Sequence, residues 1–360
     1  MMGLQQRSAF SDFFPEYSCE TMLTNPHSNY YMFDCFIKDI RRTGHGSVLN
    51  YESLKIRLVI ENCVFYNCSA GYYSGTINGG VIYFNCADGM YAFSKVCAYR
   101  CEGTYYNNYY TYGCFAYMIS NHNNTVQQTT LSNCGPTRSD NYYYVYGSIY
   151  LSGGRQYCQN DNSSFNYGYS YIGLYSLSAT LIDHKFITIN SNFATGPSIY
   201  GLTSSTSDQI KMVQNSNVVN NTCSSDGVVY GSGKFTNFSN CVFTSNYYTL
   251  FSNTISVTNS YIRHTGPLSS GSAIVVSSVI TDSPVATFEM FYFATAFCEI
   301  PTPAPTLEAT IQEQCIPGQT LFPPPTDCHY TEGAAEFLNL NSIIHLMLIS
   351  FASYIIPFVE

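Results

Sequence analysis

The chain has no tryptophan, and only 10% of its 360 residues are charged. So little charge argues against a nucleic-acid partner, because phosphate neutralisation needs a concentrated basic face. The basic residues gather only in short knots, at Lys38, Arg41 and Arg42 and at Lys55 and Arg57. Acids are scarce and dispersed as well. Polysaccharide hydrolysis needs two or three carboxylates converging on a sugar, and lyase chemistry needs an acidic calcium cluster with a base beside it. No Gly-x-Ser-x-Gly elbow and no phosphate-binding glycine loop is present. Asp183-His184-Lys185 and Gly44-His45-Gly46 are the local clusters that could carry catalysis, and both read as turn or surface residues. The opening stretch, MMGLQQRSAFSDFFPEYSCE, lacks an uninterrupted apolar run with a small-residue cleavage site after it, so it does not read as a signal peptide.

What the chain has in quantity is tyrosine, at 34 positions, beside much Ser, Thr and Asn and a formal charge of −9. Aromatic and β-branched residues suit a pleated, half-buried surface better than a helix, so the composition leans to β-structure. Fifteen cysteines cannot all pair within one chain. Cys63-x4-Cys68 and Cys97-x3-Cys101 resemble metal pairs, but no His pair or second tight cysteine pair follows at zinc-finger spacing. The expectation is no metal and no cofactor.

The cysteines point instead to a repeat. CVFYNC (63–68), VCAYRC (96–101) and TTLSNC (129–134) place Cys68, Cys101 and Cys134 at successive intervals of 33 residues. CVFTSN (241–246) recurs with weaker relatives. A second motif, a small residue or two and then an apolar pair often closed by tyrosine, follows each strong segment, as in GGVIY (79–83), GCFAY (113–117), GSIY (147–150), PSIY (197–200) and GVVY (227–230). Ile82, Phe115, Ile149, Leu174, Ile199, Val229 and Ile274 then form one apolar column with steps of 33, 34, 25, 25, 30 and 45 residues, and YTLF (248–251) offers a rung inside the last gap. Periods of this size signal a repeat architecture. A variable period around constant short strand cores predicts a right-handed parallel β-helix, with a propeller as the second choice. In such a coil like residues stack about 4.7 to 4.9 Å apart. Cys68, Cys101 and Cys134 become a buried ladder of small thiols, whose parallel Cβ vectors suit disulfide bonding poorly. Glycine before the apolar pair allows a positive-φ bend, and Asn67, Asn133 and Asn246 at strand exits tolerate left-handed backbone.

The pairing of a Gly-Gly-Ala-Ile-type motif with a Phe-x-x-Asn motif resembles the polymorphic outer-membrane protein (Pmp) repeats of bacteria and, more closely, the Pmp-like surface proteins of parasitic protists. Gly79-Gly80-Val81-Ile82 and Gly271-Ser272-Ala273-Ile274 approach the first motif, Phe243-Thr244-Ser245-Asn246 matches the second, and Phe65-Tyr66-Asn67 departs from it by one position. The resemblance covers residues 30 to 280. It implies a β-helical, adhesin-like surface protein with no catalytic residues to transfer.

The expected organisation is an irregular N-terminal cap (1–29), a β-helix (30–290), a Pro- and Cys-containing linker (291–336) and an apolar segment (337–359) without a formal charge. That segment is long enough to span a bilayer; a buried helix and a processed lipid anchor are its other readings. The functional expectation is a non-enzymatic, membrane-anchored cell-surface protein for adhesion or for binding a host or cell-surface protein or glycan. The competing expectation is a carbohydrate-active β-helix enzyme.

Overall fold

A computed structural model describes residues 29–280, apart from 34, 53–54, 73–74, 106–109, 137–143, 205–208, 272 and 277. The described residues form a parallel β-solenoid without a helix. One coil shows the plan. Arg57–Glu61 lies on a first side, Val64–Tyr66 on a second, Ser69–Tyr72 on a third and, after the short strand Ile77–Asn78, Ile82–Asn85 on a fourth. The next coil stacks on it in parallel register through Met90–Ser94, Cys97–Tyr99, Glu102–Tyr105, Tyr110–Tyr112 and Ala116–Ile119. Side chains alternate across each strand. Leu58 and Ile60, Tyr91 and Phe93, and Phe65 and Ala98 therefore enter one continuous core.

Two corners on every coil are made the same way. The first is a single left-handed residue, in the column Asn62, Lys95, Gln128, Asn160, Phe186, Asn215 and Asn240; the second is the column Asn67, Arg100, Asn133, Phe165, Ser191, Asn220 and Ser245. The φ angles lie between 50° and 57°, and the separation within each coil is always five residues, as in Asn62 to Asn67 or Asn240 to Ser245. A non-glycine residue in this conformation costs roughly 1–2 kcal/mol. Its amide is paired in return with a carbonyl one coil on, as in Asn62 N–H to Ser94 O (2.9 Å) and Asn67 N–H to Tyr99 O (2.9 Å). Asn67 and Asn133 thus stand where the sequence placed them. Asn246 does not, because Ser245 takes the left-handed turn and Asn246 follows it into the interior.

The fourth side corrects the apolar column in two places. Ala116, not Phe115, pairs with both Ile82 and Ile149, and Tyr200, not Ile199, connects Leu174 to Val229. The cause is a bulge where the chain enters these strands. Val81 and Ile82 both donate to Phe115 O, and Ile199 and Tyr200 both donate to Val228 O, so one extra residue is absorbed at each bend. Phe115 and Ile199 are still wholly buried. The wide last gap closes at Phe251, which pairs with Val229, whereas Ile274 pairs with Ser256 on the first side.

Coil length falls along the chain. Arg57 pairs with Met90, 33 residues on; Thr236 pairs with Ile255, 19 residues on. The shortening fuses two sides, since the eleven-residue strand Val229–Ser239 pairs with Tyr200–Ser204 by its first half and with Lys211–Gln214 by its second.

Asn29 already opens the first strand, Asn29–Phe33. The rest of the expected cap, the linker and the apolar segment 337–359 lie outside the described residues. Among the described residues no helix is long and apolar enough to cross a membrane.

Candidate functional site

On the fourth side the residue after each inward apolar position points out. Tyr83, Tyr117, Tyr150 and Tyr175 occupy it on successive rungs, followed by Gly201 and Tyr230. Tyr83 and Tyr117 stack with centroids 5.7 Å apart, Tyr117 and Tyr150 at 4.7 Å, and Tyr150 meets Tyr175 edge-on at 5.2 Å. A second row comes from the preceding short strands. Tyr110 and Tyr112 pair in register with Tyr144 and Tyr146, while Thr111 and Val145 between them face inward and are buried. Tyr112 touches Tyr117 and Tyr150, and Tyr146 touches Tyr169 and Tyr171. Eleven tyrosines thereby join into one unbroken face, with His45 stacked on Tyr83 (4.9 Å) at one end.

Two backbone features complete the face. Gly79, Gly113 and Gly147 take positive φ at the bend into the strand, and on the next rung Tyr171 takes that conformation (φ 53°). Its ring lies flat on Tyr175 at 4.2 Å. Room for it comes from Gly201, where an added Cβ would sit 2.5 Å from Tyr171 Cδ1 and 2.7 Å from Tyr175 Cδ2.

Electrostatically the face is neutral. Burial, followed by repulsion from neighbouring phenolates, pushes Tyr117 up to about 12. Burial, then the charge of Tyr230, does the same for Tyr175. Tyr146, Tyr150 and Tyr171 move upward for the same reasons. The carboxylates acting on these phenols stand at opposite ends, Glu52 near Tyr83 and Asp226 near Tyr171. They belong to rungs six steps apart, so at about 4.8 Å per step roughly 29 Å of solenoid lies between them.

The other sequence candidates are dispersed. Strand alternation divides Asp183-His184-Lys185: Lys185 pairs with Asp183 at 2.9 Å on the outside, while His184 is buried inside, its Nδ1 2.6 Å from Tyr200 Oη. His45 Nδ1 accepts the Asn78 N–H at 3.0 Å. Cys68, Cys101 and Cys134 are buried free thiols on one column, with Sγ atoms directed at the carbonyls of Tyr66 (3.4 Å), Phe65 (3.5 Å) and Ala98 (3.6 Å). Among the described residues no group of three His, Cys, Asp or Glu could hold a metal ion.

The cysteine column continues as asparagine, which the sequence reading missed. Asn166, Asn192, Asn221 and Asn246 are buried one above another. Each Oδ1 accepts the backbone N–H of the column residue one coil earlier: Cys134 to Asn166 (2.8 Å), Asn166 to Asn192 (2.9 Å), Asn192 to Asn221 (3.0 Å) and Asn221 to Asn246 (3.0 Å). Each Nδ2 donates to a carbonyl of the preceding coil, as in Asn221 to Ile189 O (2.8 Å) and Asn246 to Val218 O (2.8 Å). The available signal was the 26-, 29- and 25-residue spacing of these four asparagines.

The interior also holds a less contented group. Asp161 follows the first corner of its coil. Its Oδ1 accepts the Thr129 N–H at 2.8 Å, but Oδ2 meets no hydrogen-bond donor of the protein. Burial raises its carboxyl well above the usual range, so the folded state holds a proton that the unfolded state releases, and stability falls as pH rises above about 3.8. His184 works the other way. Burial depresses it to about 3, so its contribution is lost as pH falls from 6.5 towards 3. Asp161→Asn, which keeps the acceptor and adds a donor, should raise stability at pH 7 by about 1–3 kcal/mol. The gain should shrink towards pH 4 in urea unfolding, and a gain independent of pH would place the cost elsewhere.

Comparison of the chain with protein-family models, with curated proteins and with solved structures gave no match.

Proposed function

We propose that this β-solenoid is a non-enzymatic binding protein of the cell surface, and that its tyrosine face adheres to neutral glycan. The observation that carries this reading is the continuity of eleven ring contacts on one side of the coil. Rigid phenols bring large contact area and a polar tip at little cost in side-chain entropy. Because the phenols stay protonated, the face suits an uncharged, hydroxyl-rich ligand. The enzymatic alternative fits the face less well, since glycoside hydrolysis uses carboxyl groups about 5 to 9.5 Å apart and the two that act on these phenols stand at its ends. Resemblance to Pmp-like repeats supports placement at the surface.

Calorimetry against neutral oligosaccharides tests the binding. Tyr110→Ala with Tyr144→Ala removes the two most exposed rings of the face, at 43% and 38%. With about 0.5–1.5 kcal/mol per aromatic contact, affinity should fall roughly tenfold or more at unchanged thermal midpoint. Undiminished affinity would move the ligand to another side, and steady shortening of the oligosaccharide would favour the enzyme. For location, a protease-sensitive tag placed in the exposed turn between Gly266 and Gly271 should be cut on intact cells; cutting only after permeabilisation would overturn the surface reading.

A further inference from the structure

The same face carries a second, independent property that follows from what is easiest to oxidise. The chain has no tryptophan, and the ten free thiols among the described residues are all buried. One-electron oxidation at the surface therefore falls on phenols. Among them Tyr110 and Tyr144 differ from the rest of the face. They are in direct register on successive rungs, with centroids 5.4 Å apart and ring planes at 50°, and both are exposed. Tyr117 and Tyr150 are closer, but they lie plane to plane at 19° and Tyr150 is only 6% exposed, so their ring edges do not meet and solvent has little access to take a phenolic proton. Tyr247 and Tyr248 are more exposed, at 68% and 51%, yet neither sits in register with another tyrosine ring of the described residues, since Tyr247 is bridged to Thr222.

We propose that Tyr110 and Tyr144 are an oxidative coupling site, joined by an intrachain dityrosine bond when a haem peroxidase and hydrogen peroxide supply the oxidant. Each phenol loses one electron and its hydroxyl proton, giving two phenoxyl radicals with spin on the ring carbons ortho to oxygen. A carbon–carbon bond forms between one ortho carbon of each ring. Each of those carbons then passes its hydrogen to its own ring oxygen through solvent, which restores both phenols. The two electrons and two protons removed reduce one hydrogen peroxide to two waters, so the protein loses two hydrogen atoms per link. Contacts of Tyr110 with Tyr112 and Tyr146, and of Tyr144 with Tyr169, let a radical formed elsewhere on the face migrate to this pair. The result is a covalent tie between adjacent coils at the exposed edge of the face.

The experiment treats the full chain with peroxide and a haem peroxidase, reads dityrosine fluorescence, and maps the link by mass spectrometry after digestion. The expected product is monomeric, lighter by two hydrogens, and linked between residues 110 and 144. Tyr110→Phe and Tyr144→Phe, which keep the packing, should each lose most of the fluorescence, and Tyr247→Phe should keep it. Full fluorescence in both of the first two variants, a link mapped to another pair, or coupling mainly between chains would overturn the proposal. Oligosaccharide binding is a separate readout, so failure of one reading leaves the other standing.

Discussion

Ile82→Asp should abolish cooperative folding or lower stability by more than about 4 kcal/mol, the range reached when an unpaired charge enters a packed core. Ile82 is wholly buried. Its rung neighbours are Leu49 and Ala116, neither of which can hydrogen-bond a carboxylate. The residue also opens its strand just after the bulge, with its amide committed to Phe115 O, so the backbone has little freedom to turn the new side chain outward. Ile82→Val is the control, at about 0.5–1.5 kcal/mol. Urea unfolding followed by circular dichroism distinguishes them, and an unchanged midpoint for the aspartate would mean that residue 82 faces solvent.

Asn221→Leu should be nearly as damaging although it keeps the side-chain volume. It removes the acceptor for the Asn192 N–H and Nδ2 and the donor to Ile189 O and to Asn246. The groups left behind are buried. Each orphaned polar group costs about 1–3 kcal/mol, so a loss of about 3–5 kcal/mol is expected. Cys101→Ser, on the thiol part of the same column, should cost far less, because the hydroxyl can keep the direction of Sγ towards Phe65 O. Equal, small effects at the two sites would show that the asparagine ladder adds nothing beyond packing.

The repeat was legible because coil geometry puts like residues at equivalent places. The 33-residue cysteine steps, the glycine bend at Gly79, Gly113 and Gly147, and the rung at Phe251 all express it directly. What the sequence hid has two physical causes. A bulge shifts register without changing composition, so Phe115 and Ile199 matched the motif while Ala116 and Tyr200 held the register. Burial of a polar side chain is invisible until its partners are known. Asn246 and Ser245 are both ordinary turn residues by type, and only the direction of the chain at the corner sends the first inward. The tyrosine content was obvious, but its gathering on one side depended on which of two alternating positions faces out, and Gly201, essential to that face, has no side chain to advertise it.

The constant five-residue distance between the two left-handed corners separates what this chain can change from what it cannot. An insertion between Asn62 and Asn67, or at the same place in any coil, would turn a whole strand over and expose its buried side. Beyond the second corner the count is free, with 28 residues from Asn67 to Lys95 and 14 from Ser245 to Asn259. Drift in length, grafted peptides and new loops can therefore accumulate on the remaining sides, where the tyrosines are, without disturbing the register that holds successive coils together. One short ruler keeps the scaffold in phase while the displayed surface is rewritten.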